Sequence, residues 1–571
     1  MNFEWIIKKQ ADLEKIRALS GELNNLDFTL TNLLIQRGVD SFVKAKDFFR
    51  VSFEDLHDPF LMKNMQIAVE RLEKALDNNE KILVYGDYDV DGTTSVALVY
   101  KYLSNFTENI SFYVPDRYSE GYGISFKGID FAKDNDFSLV IALDCGIKAV
   151  DKIKYANERN VDFIICDHHT PGEVVPDAIA VLNPKQIDCE YPYKELSGCG
   201  VGFKFLQAFT KYKKSDSEKL NELLDLVAVS IASDIVPITG ENRILETYGL
   251  KQFNNTNNAG FKALKTISGM NDQDFTVSDL VFKIGPRINA AGRMDHANFA
   301  VNLLVEDDDN NAQELANQLN TFNENRKTDQ DNITVDVLKI FEDKPELLNK
   351  KSTVVYDEQW NKGIVGIVAS KIIEKYYKPT IVLTKSHGKW TGSARSVENF
   401  DLYSAIDSCS HLLHSFGGHK FAAGLTVEDE NLNEFIECFE KSVKQTISED
   451  SLTPKLVISD TINLSRVDAQ FYKILKQFAP FGPENMKPVF LAFDVVDTGA
   501  SRQIGKDFSH LKLEIKDKTG AIISGVAFGM GHLYDEIKNK QPFDICFTIN
   551  ENVFNNRVSL QLDIKDIRLR S

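Results

Sequence analysis

The chain has 571 residues, of which 43% are hydrophobic and 26% charged, and its formal net charge is −18. Single hydrophobic cores stop growing at about 250 to 300 residues, so we expect two to four domains. The sequence has no apolar run of the roughly 18 residues that span a bilayer, and its start does not resemble a signal peptide, so we expect a cytosolic protein without a membrane association. The acidic balance means that any nucleic-acid partner must be held by local basic features or by bound cations.

The cysteines carry little functional information. Seven of them are scattered along the chain without a C-x-x-C pair. This spacing argues against a disulfide framework and against a zinc ribbon. We therefore expect buried, reduced thiols.

From about Asp58 to Pro237, short apolar segments alternate with segments of helical spacing, which predicts βαβ units and a parallel sheet. The predicted strands are KILVYG, SFYVP, FSLVIAL, VDFIIC and AIAVLNP. The predicted helices that cover them are TTSVALVYKYL, GVGFKFLQAF and LLDLVAVSIAS. This part of the chain is therefore expected to form an α/β domain.

Three further regions follow. Residues 298–348 are rich in acidic and amide side chains with spaced leucines and valines, which predicts long connecting helices. The segments STVVYDE and PTIVLTK around the helical GIVGIVASKIIEKYY predict a second, smaller α/β domain. After Pro454, five strand-like segments separated by turns favour a small β-barrel, with an OB-fold as the leading candidate. The expected domains are 1–50 (N-terminal extension), 51–265 (parallel-sheet domain), 266–348 (helical connector), 349–450 (second α/β domain) and 451–571 (barrel).

The strongest chemical signal is the motif DYDVDG, which contains Asp87, Asp89 and Asp91 and lies between a predicted strand and a predicted helix. Carboxylates two residues apart in an extended segment can point at a common cation. A calcium-binding EF-hand loop begins in the same way, but it needs a glutamate where this chain has Leu98. Helix capping by surface aspartates explains one of the three acids and not all of them.

Other acids and two histidines follow predicted elements of the same domain. Asp144 comes directly after FSLVIAL, Asp167-His168-His169 comes after VDFIIC, and Asp234 ends an apolar helix. Taken singly, each of these residues is explained as a helix cap, a solvated acid or an ordinary histidine. Taken together, they indicate a site, because open α/β sheets form their sites at the carboxyl ends of parallel strands. Carboxylate and imidazole ligands together suit manganese or magnesium, and two such ions are suited to phosphoester hydrolysis.

The motifs DYDVDG, DCG, DHH and ASDIVP, in that order and spacing, resemble the four motifs of the DHH phosphoesterase superfamily. The resemblance implies two bound Mn²⁺ or Mg²⁺ ions, with Asp144 bridging them. The metal ligands that it implies are Asp89, Asp91, Asp144, His168 and Asp234. It also implies that Asp87, Asp167 and His169 support these ligands or handle protons, with a phosphate contact by His169 as an alternative.

The second α/β domain carries the glycine-containing segments GSARS and FGGHKFAAG. Glycines let a backbone approach a phosphate closely, and serine, arginine and histidine donate hydrogen bonds to its oxygens. Each segment alone is equally well explained as a turn. Together they resemble the DHHA1 substrate-binding domain, and this resemblance implies that His419, Gly417 and Gly418 face the scissile phosphate. It also implies that Ser393 and Arg395 hold a terminal phosphate.

Three more arginines are candidate DNA contacts. Arg287 and Arg293 lie in GPRINAAGRM, near the junction of the domains, and their alternative role is to form salt bridges with the acid-rich helices. Arg117 follows a predicted strand on the side of the sheet that carries the acids. By resemblance, Arg117 joins Ser393 and Arg395 in a pocket for a 5′-phosphate.

The barrel distinguishes between members of the superfamily. Because it has such a barrel, the chain resembles the branch of the superfamily that degrades single-stranded DNA from the 5′ end. Enzymes of that branch release 5′-mononucleotides and act in recombination and repair. That resemblance implies a monomer that binds single-stranded DNA and receives it from a helicase or a single-strand-binding protein. The alternatives are a phosphodiesterase for short oligonucleotides or cyclic dinucleotides, and a non-catalytic DNA-binding factor. Since every motif acid is present, the sequence argues against the non-catalytic alternative.

Overall fold

The structure is a computed structural model that describes residues 3–270, 273–539, 541–554 and 557–570. The chain divides into two compact units. One unit contains Ser52–Ile447 and Gly482–Glu484, and the other contains Met1–Val51, Ser448–Phe481 and Asn485–Ser571. In the described ranges, no helix is both long enough and apolar enough to cross a membrane.

The N-terminal segment forms one short strand and several helices. They are β1 (Glu4–Ile7), α1 (Leu13–Glu22), α2 (Phe28–Ile35) and α3 (Phe42–Phe49). The side chains of Asp12, Asp27 and Ser41 accept hydrogen bonds from backbone amides in the first turns of these helices. Such capping satisfies amides that have no partner within the helix, so these three residues determine where the helices begin.

The first α/β domain is built on a parallel sheet with the strand order β3-β2-β4-β5-β6. Its elements are α4 (Met65–Asp77), β2 (Lys81–Gly86), α5 (Val90–Leu103), β3 (Ile110–Tyr113), α6 (Phe126–Asp134), β4 (Phe137–Leu143), α7 (Val150–Asn157), β5 (Asp162–Cys166), β6 (Ala180–Leu182), α8 (Gly198–Lys213), α9 (Glu218–Asn221), α10 (Leu224–Ser233), α11 (Gly240–Asn254) and α12 (Ala259–Ile267). The central strands are apolar at successive positions because both faces of a parallel sheet are covered by helices. The predicted parallel sheet is confirmed.

The connector is helical, as predicted. It consists of α13 (Val277–Asp279), a π-helical turn (Leu280–Ile284), α14 (Gly285–Met294), α15 (Asn298–Val305) and α16 (Asp309–Asp343). Helix α16 is 35 residues long and is capped by Asp308, whose carboxylate accepts hydrogen bonds from the amides of Asn310 and Asn311. Its N-terminal half is buried in the core of the first α/β domain, and its C-terminal half is buried in the core of the second.

The second α/β domain contains a mixed sheet with the strand order β10-β11-β9-β8-β7. Its elements are β7 (Thr353–Asp357), α17 (Val365–Tyr376), β8 (Thr380–Ser386), β9 (Lys389–Arg395), α18 (Leu402–Asp407), β10 (Leu413–His419), β11 (Ala422–Val427) and α19 (Leu432–Thr446). The segment GSARS lies mostly in β9, so it is not a turn. The segment FGGHKFAAG forms the β10–β11 hairpin, with its turn at Lys420 and Phe421. Strand pairing places Gly424 opposite both Gly417 and Ser393, which brings the two segments side by side.

One pair of cysteines departs from the expectation of reduced thiols. Cys409 and Cys438 form a disulfide, with Cα atoms 6.1 Å apart. The other five cysteines are free and buried, as expected. The pair escaped prediction because 29 residues separate its members, and only the packing of α18 on α19 brings them together.

The C-terminal region forms a closed barrel. Its elements are β12 (Lys455–Ile458), β13 (Asp460–Thr461), α20 (Ala469–Lys476), β14 (Phe490–Asp497), β15 (Arg502–Ile504), β16 (His510–Lys516), β17 (Ile522–Ala527), α21 (Tyr534–Ile537), β18 (Phe543–Phe554) and β19 (Arg557–Leu569). The strands run in the order β14-β18-β19-β17-β16, and pairing of β16 with β14 closes the ring. A closed barrel of five strands is the architecture of an OB-fold, so this prediction is confirmed.

The N-terminal segment shares its core with the barrel. Leu30, Leu33 and Leu34 of α2 are fully buried in one apolar cluster with Phe478 and Phe490. Strand β1 also pairs with β12 in parallel register. The segment is therefore an integral layer of the barrel unit.

Replacement of Leu33 by alanine should destabilise the barrel unit by about 2–5 kcal/mol, because the substitution leaves a cavity in a core that cannot fully collapse. Trp5 reports on this unit, since its indole N–H donates to Asp566 at 2.7 Å. Urea unfolding followed by Trp5 fluorescence, in a chain with Trp360→Phe and Trp390→Phe, measures the change. The control is Val43→Ala in α3, whose side chain is 65% exposed; equal unfolding midpoints for the two variants would contradict the shared core.

Candidate metal centre and phosphate site

Acidic side chains and histidines converge at the carboxyl edge of the parallel sheet. Strand β2 leads into the segment with Asp87, Asp89 and Asp91, β4 leads into Asp144, and β5 leads into Asp167, His168 and His169. Asp234 follows the last residue of α10, whose C-terminal end reaches the same place. All eight residues singled out from the sequence as ligands or their supports therefore meet at one site.

Asp91 is held by backbone amides. It lies in the first turn of α5, and its carboxylate accepts hydrogen bonds from the amides of Gly198 at 2.7 Å and Cys199 at 2.8 Å. These amides belong to the N-terminal end of α8, where the helix dipole also favours a negative charge. The hydroxyl of Ser230 donates a third hydrogen bond at 2.7 Å. These contacts orient the carboxylate toward His168.

Asp89 and Asp87 occupy the loop before α5. Asp89 caps this helix by accepting a hydrogen bond from the amide of Gly92 at 3.0 Å. One carboxylate oxygen of Asp87 accepts from the amide of Gly123 at 3.2 Å. The close packing of Gly92 against the backbone of Asp87 leaves no room for a Cβ atom, so the motif requires glycine at this position.

The imidazole of His168 is the centre of the cluster. Its Nε2 atom lies 3.2 Å from Oδ1 of Asp144, 3.5 Å from Oδ2 of Asp234 and 3.7 Å from Oδ2 of Asp91. Two groups of possible ligand atoms share His168, and the atoms of each group lie within 4.8 Å of one another. The first group is Asp91, His168 and Asp234. The second group is Asp144, His168 and His169.

The cluster has donor atoms that protein groups do not satisfy. Within the described residues, one oxygen of Asp87, Oδ1 of Asp144 and Nδ1 of His168 are buried and have no hydrogen-bond partner. Burial raises the pKa of Asp144 well above its ordinary value, and the charges of Asp91 and Asp89 raise it further. Burial and the same two charges raise the pKa of Asp234 to about 8. Buried carboxylates that repel one another and retain free oxygens fit a site for hard divalent cations.

Burial lowers the pKa of His168, which keeps this imidazole neutral and able to act as a ligand. A neutral histidine does not offset the charge of the carboxylates around it. The donor set therefore combines negative oxygens with one uncharged nitrogen, a combination that suits Mn²⁺ or Mg²⁺ better than a thiolate-preferring ion.

His169 is oriented by two partners. Its Nδ1 atom lies 2.8 Å from the carboxylate of Asp167, and its Nε2 atom lies 3.2 Å from the hydroxyl of Tyr122. Although burial raises the pKa of Asp167, hydrogen bonds from the His169 ring and from backbone amides lower it to about 2. Asp167 therefore stays ionised. It also accepts hydrogen bonds from the amides of Ile147 and His168, which makes it a support for the two histidines.

Four arginines form a second, positively charged cluster. Burial and the charges of Arg117, Arg326 and Arg395 together lower the pKa of Arg293 to about 9. Arg293 donates a hydrogen bond to the carbonyl of Gly363 at 2.9 Å, which joins the connector to the second α/β domain. In the described part of the chain, the buried Nε of Arg326 has no hydrogen-bond partner. Positive groups packed together in this way fit an anion.

The N-terminal end of α17 adjoins this cluster. Among the described residues, no side chain caps this helix end. Gly366 lies in its first turn, and a Cβ atom there would be 3.0 Å from the guanidinium of Arg395 and 3.1 Å from the hydroxyl of Ser393. Uncapped amides at a helix start favour an anion, so Ser393, Arg395 and α17 together form a candidate phosphate pocket.

Gly417, Gly418 and His419 lie at the end of β10. Gly418 has a positive φ of 149°, and a Cβ atom there would collide with the carbonyl of Ala422, so the fold requires glycine. By contrast, a Cβ atom at Gly417 would meet no described atom within 4 Å, so packing does not explain this glycine. Strand pairing through Ala422 aligns His419 with Arg395, two strands away. Burial lowers the pKa of His419, and so does the charge of Arg395.

Arg287 differs from the other arginines. Its guanidinium donates to Oδ1 of Asn320 at 3.0 Å and to the carbonyl of Lys283. The structure therefore places Arg287 against the connector helix α16.

Sequence reasoning missed two residues of this region. Arg326 lies in the acid-rich helix α16, where a single arginine gives no motif signal. Tyr122 lies between two glycines with positive φ, Gly121 and Gly123, and this Gly-Tyr-Gly pattern could have drawn attention to the tyrosine. Its hydroxyl contacts His169 and the carbonyl of Asp144.

Comparison with known protein families matches three parts of the chain. Residues 81–231 match the DHH family, N-terminal domain, residues 349–445 match the DHHA1 domain, and residues 458–566 match the RecJ OB domain. The single-stranded-DNA-specific exonuclease RecJ of Bacillus subtilis is 35% identical over 564 residues, which cover 98% of this chain and 70% of that protein. The RecJ of Salmonella typhimurium is 32% identical and covers 88% of this chain and 89% of that protein.

This chain belongs to the RecJ family. Among solved structures, RecJ from Thermus thermophilus in complex with Mn²⁺ aligns with a TM-score of 0.85 and 25% identity, covering 100% of this chain and 80% of that one. The expected order of a DHH domain, a DHHA1 domain and an OB domain is thus confirmed.

For this RecJ-family chain, the carboxylate cluster predicts a pH-dependent stability in the absence of cations. The pKa of Asp234 is raised from 3.8 to about 8 in the folded chain, so its contribution to stability is present at low pH and is lost as the pH rises through that interval. In a chelating buffer, the thermal unfolding midpoint should therefore fall between about pH 4 and pH 8. Added Mn²⁺ should abolish the fall, because a bound cation neutralises the ionised carboxylates.

Differential scanning calorimetry with EDTA or with MnCl₂ tests this expectation. The Asp234→Asn variant should show a smaller fall with pH in EDTA. The control is Asp307→Asn, which removes an exposed carboxylate that pairs with Lys101 and should keep the original profile. An identical pH profile for the Asp234→Asn variant and the unmodified chain would refute the assignment.

Proposed function

We propose that the protein is a metal-dependent exonuclease that hydrolyses single-stranded DNA from its 5′ end and releases 5′-mononucleotides. The observation that carries this proposal is the cluster of buried carboxylates around His168, whose free oxygens suit cations. The name of the curated relatives, single-stranded-DNA-specific exonuclease, supports the substrate. The Mn²⁺ complex of the Thermus thermophilus RecJ supports the choice of metal.

In this proposal, two Mn²⁺ or Mg²⁺ ions are held by Asp89, Asp91, Asp144, His168 and Asp234. When bound, the ions would activate water and neutralise the negative charge of the phosphate. Asp91 contributes a carboxylate whose orientation is maintained by the start of α8. Asp144 contributes an oxygen that has no partner among the described residues.

His169 is the proposed donor to the phosphate. Asp167 is ionised and accepts a hydrogen bond from Nδ1 of His169. Although burial lowers the pKa of His169, the hydrogen bond to Asp167 and the charge of Asp167 raise it above its ordinary value, which favours the imidazolium form. In that form Nε2 also carries a proton, which it can donate to the phosphate. The hydroxyl of Tyr122 lies beside Nε2 and can donate to the carbonyl of Asp144 at 3.1 Å. These contacts hold the imidazole in one orientation. On the DHHA1 side, His419, Gly417 and Gly418 are proposed to face the same phosphate.

The arginine cluster and the start of α17 are proposed to hold the terminal 5′-phosphate. Arg117, Ser393 and Arg395 are the residues that the resemblance implied for this role, and Arg293 and Arg326 add positive charge. A pocket that binds a chain end accounts for exonucleolytic action, because an internal phosphodiester has no terminal group to place there.

Several further features belong to this proposal, and experiments other than activity assays test them. They include a role in DNA recombination and repair, a cytosolic location, a monomeric state, and delivery of substrate by a helicase or a single-strand-binding protein. They also include DNA contacts by Arg287 and the domain boundaries expected from the sequence. Sedimentation velocity measures the oligomeric state directly.

The Asp144→Ala variant should lose hydrolysis of single-stranded DNA by at least about a thousandfold, because the variant lacks the carboxylate closest to His168. Its affinity for DNA in EDTA should stay within about twofold, since the arginine cluster is intact. Release of nucleotides from a 5′-labelled strand and fluorescence anisotropy measure the two quantities. Asp307→Asn serves again as the control, and a normal rate for Asp144→Ala would exclude the metal assignment.

The same assay distinguishes the alternatives. An exonuclease for long strands should degrade them with the same or higher kcat/KM than dinucleotides and cyclic dinucleotides. A preference for the short substrates would favour the oligonucleotide phosphodiesterase instead. Binding of DNA without hydrolysis in Mn²⁺ would favour the non-catalytic alternative.

The Arg326→Gln variant should lower kcat/KM for a 5′-phosphorylated strand by about tenfold, because a hydrogen bond to a charged group contributes about 1.5–3 kcal/mol. Its kcat/KM for a 5′-hydroxyl strand should change much less, since that strand lacks the terminal charge. The control is Arg159→Gln, whose guanidinium stacks on Tyr155 away from the cluster. An equal loss on both strands would show that Arg326 has no part in recognition of the terminal phosphate.

A further inference from the structure

A disulfide lies at the start of the strand that ends at His419. Cys409 follows helix α18, and the short helical turn Ser410–Leu412 leads from it into β10. Its partner Cys438 lies in α19, 29 residues further along the chain. These elements all belong to the second α/β domain, within one compact unit. The disulfide therefore fixes the entry into a strand that carries proposed phosphate contacts.

Strand β10 is held by few other contacts. It is the edge strand of its sheet, and β11 is the only strand in the described part of the chain that pairs with it. This pairing is irregular between Leu413 and Ser415, at the end near the disulfide. None of its seven residues, all of which the structure describes, is fully buried. Since burial contributes little here, the position of β10 depends strongly on the chain that leads into it.

Helix α18 carries this constraint to β10. The ring of Tyr403 in α18 lies 5.5 Å from the ring of Phe416 in β10. The hydroxyl of Ser408, just after α18, donates to the hydroxyl of Ser442 in α19 at 2.9 Å. The disulfide lies beside this hydrogen bond and is the covalent tie between the end of α18 and α19. Without it, α18 and the strand that packs on it would be held by non-covalent contacts alone.

The two cysteines differ in their access to solvent. Cys409 is fully buried, whereas Cys438 is half-buried. A thiol that arrives from solvent therefore reaches the sulfur of Cys438 first. An accessible cysteine next to a partner that can resolve it is typical of redox-sensing pairs.

We propose that Cys409 and Cys438 form a site of reversible exchange with low-molecular-weight thiols, and that their oxidation state sets the position of β10 and the affinity for substrate. The second part rests on the proposed function, in which residues of β10 face the phosphate. A protein that acts on DNA works where thiols keep the surroundings reduced, and disulfides in such compartments are usually transient or redox-sensing.

The exchange proceeds in two steps. A reagent thiolate attacks Sγ of Cys438, the bond between the two cysteine sulfurs breaks, and Cys409 leaves as a thiolate that takes up a proton. A second reagent thiolate attacks the reagent sulfur of this mixed disulfide, and Cys438 leaves and takes up a proton. The chain gains two electrons and two protons, and the reagent is released as its own disulfide. The hydroxyl of Ser408 lies 3.7 Å from the sulfur of Cys409 and can donate to the departing thiolate.

Treatment of the full chain with glutathione, as the thiol or as its disulfide, tests the proposal. Alkylation after denaturation, followed by mass spectrometry, should count five thiols in the oxidised chain and seven in the reduced chain. Glutathione is removed by gel filtration before Mn²⁺ is added. Reduction should raise the KM for a 5′-phosphorylated trinucleotide about threefold or more and change kcat less. Oxidised glutathione should restore the original KM.

Hydrogen exchange provides a readout that does not require activity. On reduction, the amides of β10 should exchange about threefold faster or more, while those of β8, which lies between β9 and β7, should keep their rates. The Cys438→Ser variant should behave like the reduced chain and should not respond to glutathione. The control is Cys189→Ser, which should keep the full response. Its sulfur accepts a hydrogen bond from the amide of Lys63 at 3.5 Å, and a serine hydroxyl can accept the same bond.

A disulfide that stays intact in excess reduced glutathione would overturn the proposal. A fully reduced chain whose KM and whose exchange in β10 equal those of the oxidised chain would also overturn it. Because these two results come from the unmodified chain, they hold even if the Cys438→Ser variant does not fold. Failure of every preparation to hydrolyse DNA in Mn²⁺ would instead overturn the proposed function, whereas faster exchange in β10 on reduction would still support the control of its position by the disulfide.

Discussion

The repulsion between buried carboxylates is the constraint on which the rest of the catalytic unit depends. Asp144 and Asp234 approach one imidazole from different elements, and burial together with mutual repulsion raises the pKa of each. Such an arrangement is costly for a folded chain unless a positive charge joins it. Since the imidazole of His168 is kept neutral, divalent cations are the natural complement. The site thus couples the stability of the fold to the ions that its chemistry requires.

The fold reduces this cost with hydrogen bonds that come from the backbone. Asp91 accepts from the first amides of α8, and Asp167 accepts from three amides and from the ring of His169. These donors are already in place when substrate arrives, so neither carboxylate must reorganise. The contacts of Asp167 also orient the two histidines, so an acid that is not among the proposed metal ligands still supports the site.

The distribution of charge explains how an acidic chain can bind DNA. The net charge of −18 repels a polyanion over most of the surface. The arginine cluster around Arg293 is an exception within the catalytic unit. The uncapped start of α17 and the hydroxyl of Ser393 adjoin this cluster, so positive charge and hydrogen-bond donors meet at one place in an acidic chain.

By itself, the sequence determined the parallel sheet, the helical connector, the barrel and the list of candidate ligands. These features depend on local periodicity and on motifs that follow predicted strands, which are written in short stretches of chain. It did not show that the segments with Gly392 and Gly424 lie in neighbouring strands, because glycine-containing segments carry no apolar alternation. Nor did it identify Arg326 or the disulfide of Cys409. Only the tertiary structure decided these, since each depends on residues far apart in the chain that meet when the fold is complete.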